Sequence, residues 1–216
     1  MPRPVDFNLY LITDRRQVVS GDLVQTVRAA LEGGVRAVQL REKDLPPDEL
    51  LTLAERLRRL TRAYRARLLI NSHIDVALAV AADGVHLPCH SSALASARRR
   101  LGPNRLLGVS THNQVEIEAA VAAKADFMTF GPVFATPSKL PFGAPVGIAA
   151  LQSACRQSPL PVFALGGISV DRLDHLPSSG SAGVALIGGI IAASDPTQAA
   201  RDYLASLAAS SLRGEK

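Results

Sequence analysis

The sequence predicts a closed (β/α)8 barrel, the TIM-barrel class of α/β fold, and three observations lead there. Short β-branched runs alternate with amphipathic helical stretches eight times over. No linker or low-complexity segment interrupts the series. The length, 216 residues, is near the lower size at which eight such units close. An open doubly wound sheet is the main rival, but it rarely carries eight regular units in so short a chain. A single domain over residues 1–216 is expected, with a disordered tail from about residue 210.

Taken in order, the first strand is placed at Asn8–Thr13. Val24, Val27 and Leu31 then line one face of a helix that Gly33-Gly34 stop. Strand two is Ala37–Leu40, and Leu50, Leu53, Ala54, Leu57, Leu60 and Tyr64 give the next helix one buried face. Strands three to six are Arg67–Asn71, Gly84–Leu87, Leu106–Ser110 and Phe127–Phe130. Strands seven and eight are Pro161–Leu165 and Gly183–Ile187. A last helix begins near Pro196 and turns Tyr203, Leu204 and Leu207 inward, with Ser210–Lys216 expected to fray.

Composition narrows the function. Apolar residues make up 47%, enough for a sizeable core, yet no apolar run is long enough to span a membrane. The start lacks a basic segment followed by a hydrophobic stretch, so a cytoplasmic protein is expected. Cys89 and Cys155 lie far apart, match no metal or redox spacing, and read as buried thiols in a reducing compartment. The net charge of +5 comes mostly from arginine, since the only lysines are Lys43, Lys124, Lys139 and Lys216. Arg56, Arg58, Arg59, Arg62 and the run Arg98–Arg100 fall on helix surfaces and read as a solvated outer face. With 4% aromatic residues and no Trp, no aromatics interleave with the arginines to stack bases, so nucleic acid is not an expected partner. A mild basic excess suits small anionic metabolites instead. A homo-oligomer is compatible with the chain, whose oligomeric state the sequence leaves open.

In a barrel of this class the active site is assembled from the C-terminal ends of the strands. Those ends read Thr13-Asp14-Arg15, Gln39-Leu40-Arg41-Glu42-Lys43, Asn71-Ser72-His73, His86, Ser110-Thr111-His112 and Gly131–Lys139. Four of the five histidines, with His90 just past the fourth end, and two of the four lysines fall in or just after these ends, whereas chance would scatter them over the helices. The last two strands run into double-glycine turns, Ala164–Ile168 and Leu186–Ile190, and the first of these is expected to lead straight into a helix. Consecutive glycines let backbone N–H groups approach an anion closely, so the pair forms a candidate phosphate cradle.

The segment from Gly131 to Pro145 is long for a strand-to-helix connection, and it offers Thr136, Ser138 and Lys139 to a phosphate. An ordinary proline-rich surface loop is the plain alternative. Arg41 and Lys43 alternate along strand two, so both can face one side and hold a polyanion such as diphosphate. A salt bridge from Glu42 to an arginine at the rim carries equal weight on this motif alone. His86, just before Leu87-Pro88, reads as a satisfied core histidine, and His73, His90 and His112 can converge without matching a metal signature.

These pieces, in this order, resemble the thiamin phosphate synthase and thiazole tautomerase superfamily. The matching stretches are Tyr10–Arg15, Val38–Lys43, Asp75–Leu78, Ala82–Leu87, Gly108–His112, Gly131–Lys139 and Ala164–Ile168, and the likeness they mark extends over nearly the whole chain. For a synthase the resemblance implies that an aminopyrimidine methyl diphosphate loses diphosphate and a thiazole nitrogen captures the cation. It implies that Gln39, Arg41, Lys43 and Asn71 bind the pyrimidine diphosphate, while Ser110 and Lys139 contact the departing diphosphate. It further implies that Thr136 and Ser138, with the backbone of Gly167, Ile187 and Gly188, hold the thiazole phosphate.

Synthases of this kind resemble Asn-Asp at the end of strand three and carry an Asp five residues after the strand-four histidine. Ser72 and Ser91 stand at those two places here. Magnesium, if used, is therefore expected to be held mainly by the substrate diphosphate, because a hydroxyl is a poor magnesium ligand beside a carboxylate. The tautomerase branch is similar in Leu87-Pro88 and in lacking the acids, yet it resembles Gly-His-Val-Phe where this chain reads Gly131-Pro132-Val133-Phe134. Proline cannot shuttle a proton. A divergent synthase is the first expectation, with a tautomerase-like isomerase or a non-catalytic binder of thiazole or thiamin phosphate as the alternatives.

Overall fold

The computed structural model describes residues 5–19, 21–136, 143–176 and 179–213. Eight parallel strands close a barrel in sequence order: β1 (Leu9–Ile12), β2 (Ala37–Leu40), β3 (Arg67–Asn71), β4 (Gly84–Pro88), β5 (Leu106–Thr111), β6 (Phe127–Phe130), β7 (Val162–Leu165) and β8 (Gly183–Leu186). The eighth strand returns to the first, with Tyr10 opposite both Ala37 of β2 and Ala185 of β8. Between strands run the helices α1 (Leu23–Glu32), α2 (Pro47–Ala63), α3 (Ile74–Ala79), α4 (Leu94–Leu101), α5 (Gln114–Ala122) and α6 (Gly147–Gln157). A short α7 (Gly188–Ile191) and a long α8 (Pro196–Arg213) follow β8. The tail expected from residue 210 thus begins inside a helix, and residues 214–216 lie outside the described ones.

Strand alternation divides the apolar residues into two cores. Outward-facing Leu9, Leu11, Val38, Leu68, Ile70, Val85, Val109 and Met128 pack against the helices. Inward-facing Tyr10, Ala37, Leu69, Leu106, Phe127, Phe163 and Ala185 fill the barrel with Phe7. Because both faces are buried, the strands read as continuous apolar runs, which is why they are so visible in the sequence.

Two helix arginines depart from the expected solvated face. Arg58 of α2 donates to Asp83 at 2.6 Å, and Asp83 also accepts from the backbone N–H of Leu68 at 2.9 Å. Arg98 of α4 repeats the device with Asp126 at 2.6 Å, and Asp126 accepts from Leu107 N–H at 2.7 Å. Each acid stands at the foot of one strand, bonds the neighbouring strand, and needs an arginine partner because a largely buried carboxylate is costly alone. Helical periodicity cannot reveal this, since both acids are distant in sequence.

The first double-glycine turn does not lead straight into an α-helix. A 3-10 turn, Val170–His175, follows it, with only six residues between Ser169 and Leu176-Pro177. The second turn does lead directly into one, since Gly188 is the first residue of α7. Among the described residues no helix is long and apolar enough to cross a membrane.

Candidate active site

A cavity of about 580 Å³ opens at the C-terminal end of the strands. Its inner wall is set by residues at or just past the C-terminal ends of the strands. Gln39, Asn71, His86, Ser110 and Thr129 make a polar arc from β2 to β6, while Leu165, Ile187 and Ile12 make an apolar arc from β7, the residue after β8, and β1. Gln39, Arg41, Lys43, Asn71, Ser110, Thr136, Gly167, Ile187 and Gly188, all expected from the sequence, line it together. Ser138 and Lys139 lie outside the described residues.

Arg41 and Lys43 reach the cavity by a different route from the one expected. β2 ends at Leu40, so neither residue is on the strand. The strand stops because the Arg41 N–H donates to Thr13 Oγ1 at 2.9 Å instead of to a ladder carbonyl, and Leu45 N–H closes a turn onto Glu42 O. Glu42, buried at the rim, accepts from Thr13 Oγ1 at 2.6 Å and from the Arg15 N–H at 3.1 Å. The Arg15 guanidinium approaches Glu42 at 3.3 Å and forks onto Asp44 at 2.6 and 2.7 Å. The rim salt bridge therefore exists, with Arg15 as its arginine. The Arg15 guanidinium holds the Asp44 carboxyl well below the usual carboxylate range. Both acids of the loop are taken up by Arg15 and Arg16, so the loop presents its positive side chains to the cavity.

Across the mouth, the β7 turn is built by backbone alone. Gly167 has φ +63°, a left-handed conformation that side chains disfavour. An added Cβ there would lie 2.6 Å from Ala135 O. The carbonyl of Gly167 is drawn outward by Arg172 Nη1, which donates to it at 2.8 Å while the guanidinium covers the Phe134 ring. At the start of α7 the Ile190 and Ile191 N–H groups donate to Ile187 O at 3.3 and 3.0 Å, and Gly188 and Gly189 line the cavity ahead of them.

The cavity floor holds two groups that were not assigned from the sequence. His86 is buried rather than satisfied: Nε2 lies 2.9 Å from Ser110 Oγ, while Nδ1 has no partner among the described residues. Thr129 Oγ1 is likewise buried and unpartnered among the described residues. The period of two along β4 and β6 places both inward and is the signal that finds them. Gln39 donates to the Tyr10 hydroxyl at 3.1 Å, which fixes the orientation of its amide. Burial pushes the Tyr10 phenol far up, so it stays neutral. His90 and His112 line the cavity, but His73 does not, as it sits exposed where α3 begins.

The donors present do not fit a side-chain-held magnesium ion. Ser72 Oγ accepts from Asn71 Nδ2 at 3.0 Å, and Ser91 Oγ accepts from the Ala93 N–H at 3.3 Å. Both hydroxyls serve local turns. Among the described residues no three His, Cys, Asp or Glu side chains gather in a way that could hold a metal.

Comparison with known proteins follows the same geometry. The family model described as thiamine monophosphate synthase matches residues 9–190. A putative thiamine-phosphate synthase of Geobacter sulfurreducens is 55% identical over 94% of this chain and 95% of its own length. A thiamine-phosphate synthase of Roseiflexus castenholzii is 41% identical over 89% of this chain and 85% of its own. Among solved structures, thiamine phosphate pyrophosphorylase from Pyrococcus furiosus superposes with a TM-score of 0.85 at 33% identity, covering 94% of this chain and 96% of that one. The chain belongs to the thiamine monophosphate synthase family.

Proposed function

We infer that this chain is a thiamin-phosphate synthase. It couples an aminopyrimidine methyl diphosphate to a thiazole phosphate, with release of diphosphate. The observation that carries this reading is the pairing, across one cavity, of a cationic loop after β2 with glycine turns after β7 and β8. Two phosphorylated ligands need two separate anion grips. The relatives named thiamine-phosphate synthase, at 41% identity and above, support the same reaction.

In the reaction, the bond between the pyrimidine methylene and the diphosphate oxygen breaks, and its electron pair leaves with the diphosphate. The thiazole nitrogen lone pair then forms the new carbon–nitrogen bond. Gln39, its amide oriented by Tyr10, reads the pyrimidine ring. Arg41, Lys43 and Asn71 grip the diphosphate, and Ser110 meets the charge that develops as it departs; such stabilisation is the main lever on an ionising step. Lys139 is assigned to the same anion. Thr136 and Ser138, with the Gly167, Ile187 and Gly188 backbone, are assigned to the thiazole phosphate. Because Ser72 and Ser91 serve local turns, we assign no magnesium ligand to the chain; any ion of this kind travels with the diphosphate. Pro132 lines the cavity in the Gly131–Phe134 stretch, so nothing there favours proton transfer on a thiazole.

The test supplies both substrates and magnesium to the purified protein and follows thiamin phosphate and diphosphate together. Equal release of the two at enzyme-like rates is expected. Binding of thiazole phosphate without either product overturns the synthase reading.

A further inference from the structure

A hydroxyl beside an anion helps only when its hydrogen is available, and what else it touches decides that. Ser110 Oγ lies 2.9 Å from Nε2 of His86. The His86 ring sits beside Tyr10 and Phe127, with centroids 5.7 and 5.8 Å away. It is 2% exposed. Its Nδ1 edge faces β5 at Gly108, where an added Cβ would come within 2.5 Å of that nitrogen. Gly108 is thus what admits the ring, and Nδ1 is left unpartnered among the described residues.

Burial, aided by the charge of Arg41, pushes the imidazole down to about 3, so the ring carries one proton near neutral pH. With that proton on Nδ1, an N–H would be orphaned there, and Nε2 would capture the Ser110 hydrogen. Ser110 would then show an anion only lone pairs. With the proton on Nε2, it is donated to Ser110 Oγ, and the Ser110 hydrogen turns into the cavity. Orphaned buried N–H groups are rarer than orphaned acceptors, which selects the second arrangement. We propose that His86 is a positioning residue: its Nε2–H holds Ser110 Oγ as an acceptor and so commits the Ser110 hydroxyl to donate to a diphosphate oxygen. This rests on the reading of the cavity as a diphosphate site.

The experiment titrates inorganic diphosphate into the full chain by calorimetry and records the histidine 15N spectrum of the wild type. His86→Leu is expected to weaken diphosphate binding about tenfold to a hundredfold, the range for a hydrogen bond to a charged group. Because the effect runs through Ser110, His86→Leu added to Ser110→Ala should change affinity by less than about twofold. His86→Gln, whose amide N–H can replace Nε2–H, should stay within about threefold of wild type. The spectrum should show His86 Nδ1 as the unprotonated nitrogen. Equal losses from His86→Leu with and without Ser110, or a proton on Nδ1, overturn the proposal while leaving the site reading intact. Should His86→Leu fail to fold, a loss in His86→Gln as large as in Ser110→Ala overturns it as well. A wild type that binds no diphosphate overturns both.

Discussion

The loop after β2 and the turns after β7 and β8 face each other across one cavity, and both suit an anion by opposite means. The β2 loop offers charge on side chains, with its acids neutralised by Arg15 and Arg16. The β7 turn offers no charge. It brings backbone to the ligand by removing side chains, and Arg172 and Phe134 brace it from behind. A charged grip should tolerate substitution structurally and fail functionally, whereas a backbone grip should fail in both ways together.

The largest effect that tests this difference is expected from Arg41→Ala combined with Lys43→Ala. Two charge-assisted contacts of roughly 1.5–3 kcal/mol each imply a diphosphate affinity lower by a hundredfold or more. Thermal stability should barely move, and a clear loss of Tm would show the loop to be structural. Gly167→Ala should do the reverse: left-handed strain of about 1–2 kcal/mol, plus the clash with Ala135 O, lowers Tm by roughly 4 °C or more. Phosphate-ester binding should fall with it while diphosphate binding holds. An unchanged Tm would mean that the turn relaxes and that glycine is not required there.

Salt separates the two grips more gently. Raising ionic strength from about 0.05 to 0.5 M shortens the screening length several-fold and should weaken diphosphate binding more than phosphate-ester binding. Equal slopes for both ligands would erase the contrast. The smallest effect is expected at Gly188→Ala. A Cβ there meets only the tip of Gln17, at 2.9 Å, and φ is not left-handed. Stability should change by less than about 0.5 kcal/mol, read from chemical denaturation. A loss as large as that at Gly167 would show that the two turns are built alike.

Much of this was legible before any coordinates. Arg67–Asn71 and Phe127–Phe130 have the strand bounds that their apolar runs predict, because a strand buried on both faces writes itself as a continuous run. The cavity residues were legible for a related reason: a barrel brings every strand end to one mouth. What stayed hidden depends on partners far away in sequence. Arg58 and Arg98 look solvated until Asp83 and Asp126 come beside them. Arg41 was assigned to a strand, since nothing local announces that Thr13 will take its N–H. His86 looked like a contented core residue because its orphaned nitrogen is created by Gly108 on the next strand.

The lower barrel has a consequence for the order of events above it. Phe7, Tyr10, Phe127 and Phe163 interlock tilted and edge-to-face, with neighbouring ring centroids 5.3–5.6 Å apart. Among the described residues that plug closes the barrel below the cavity, which leaves the strand C-terminal ends as the way in. A ligand that rests on Gln39 therefore lies beneath whatever fills the rim, and the order of binding and release is expected to follow that stacking.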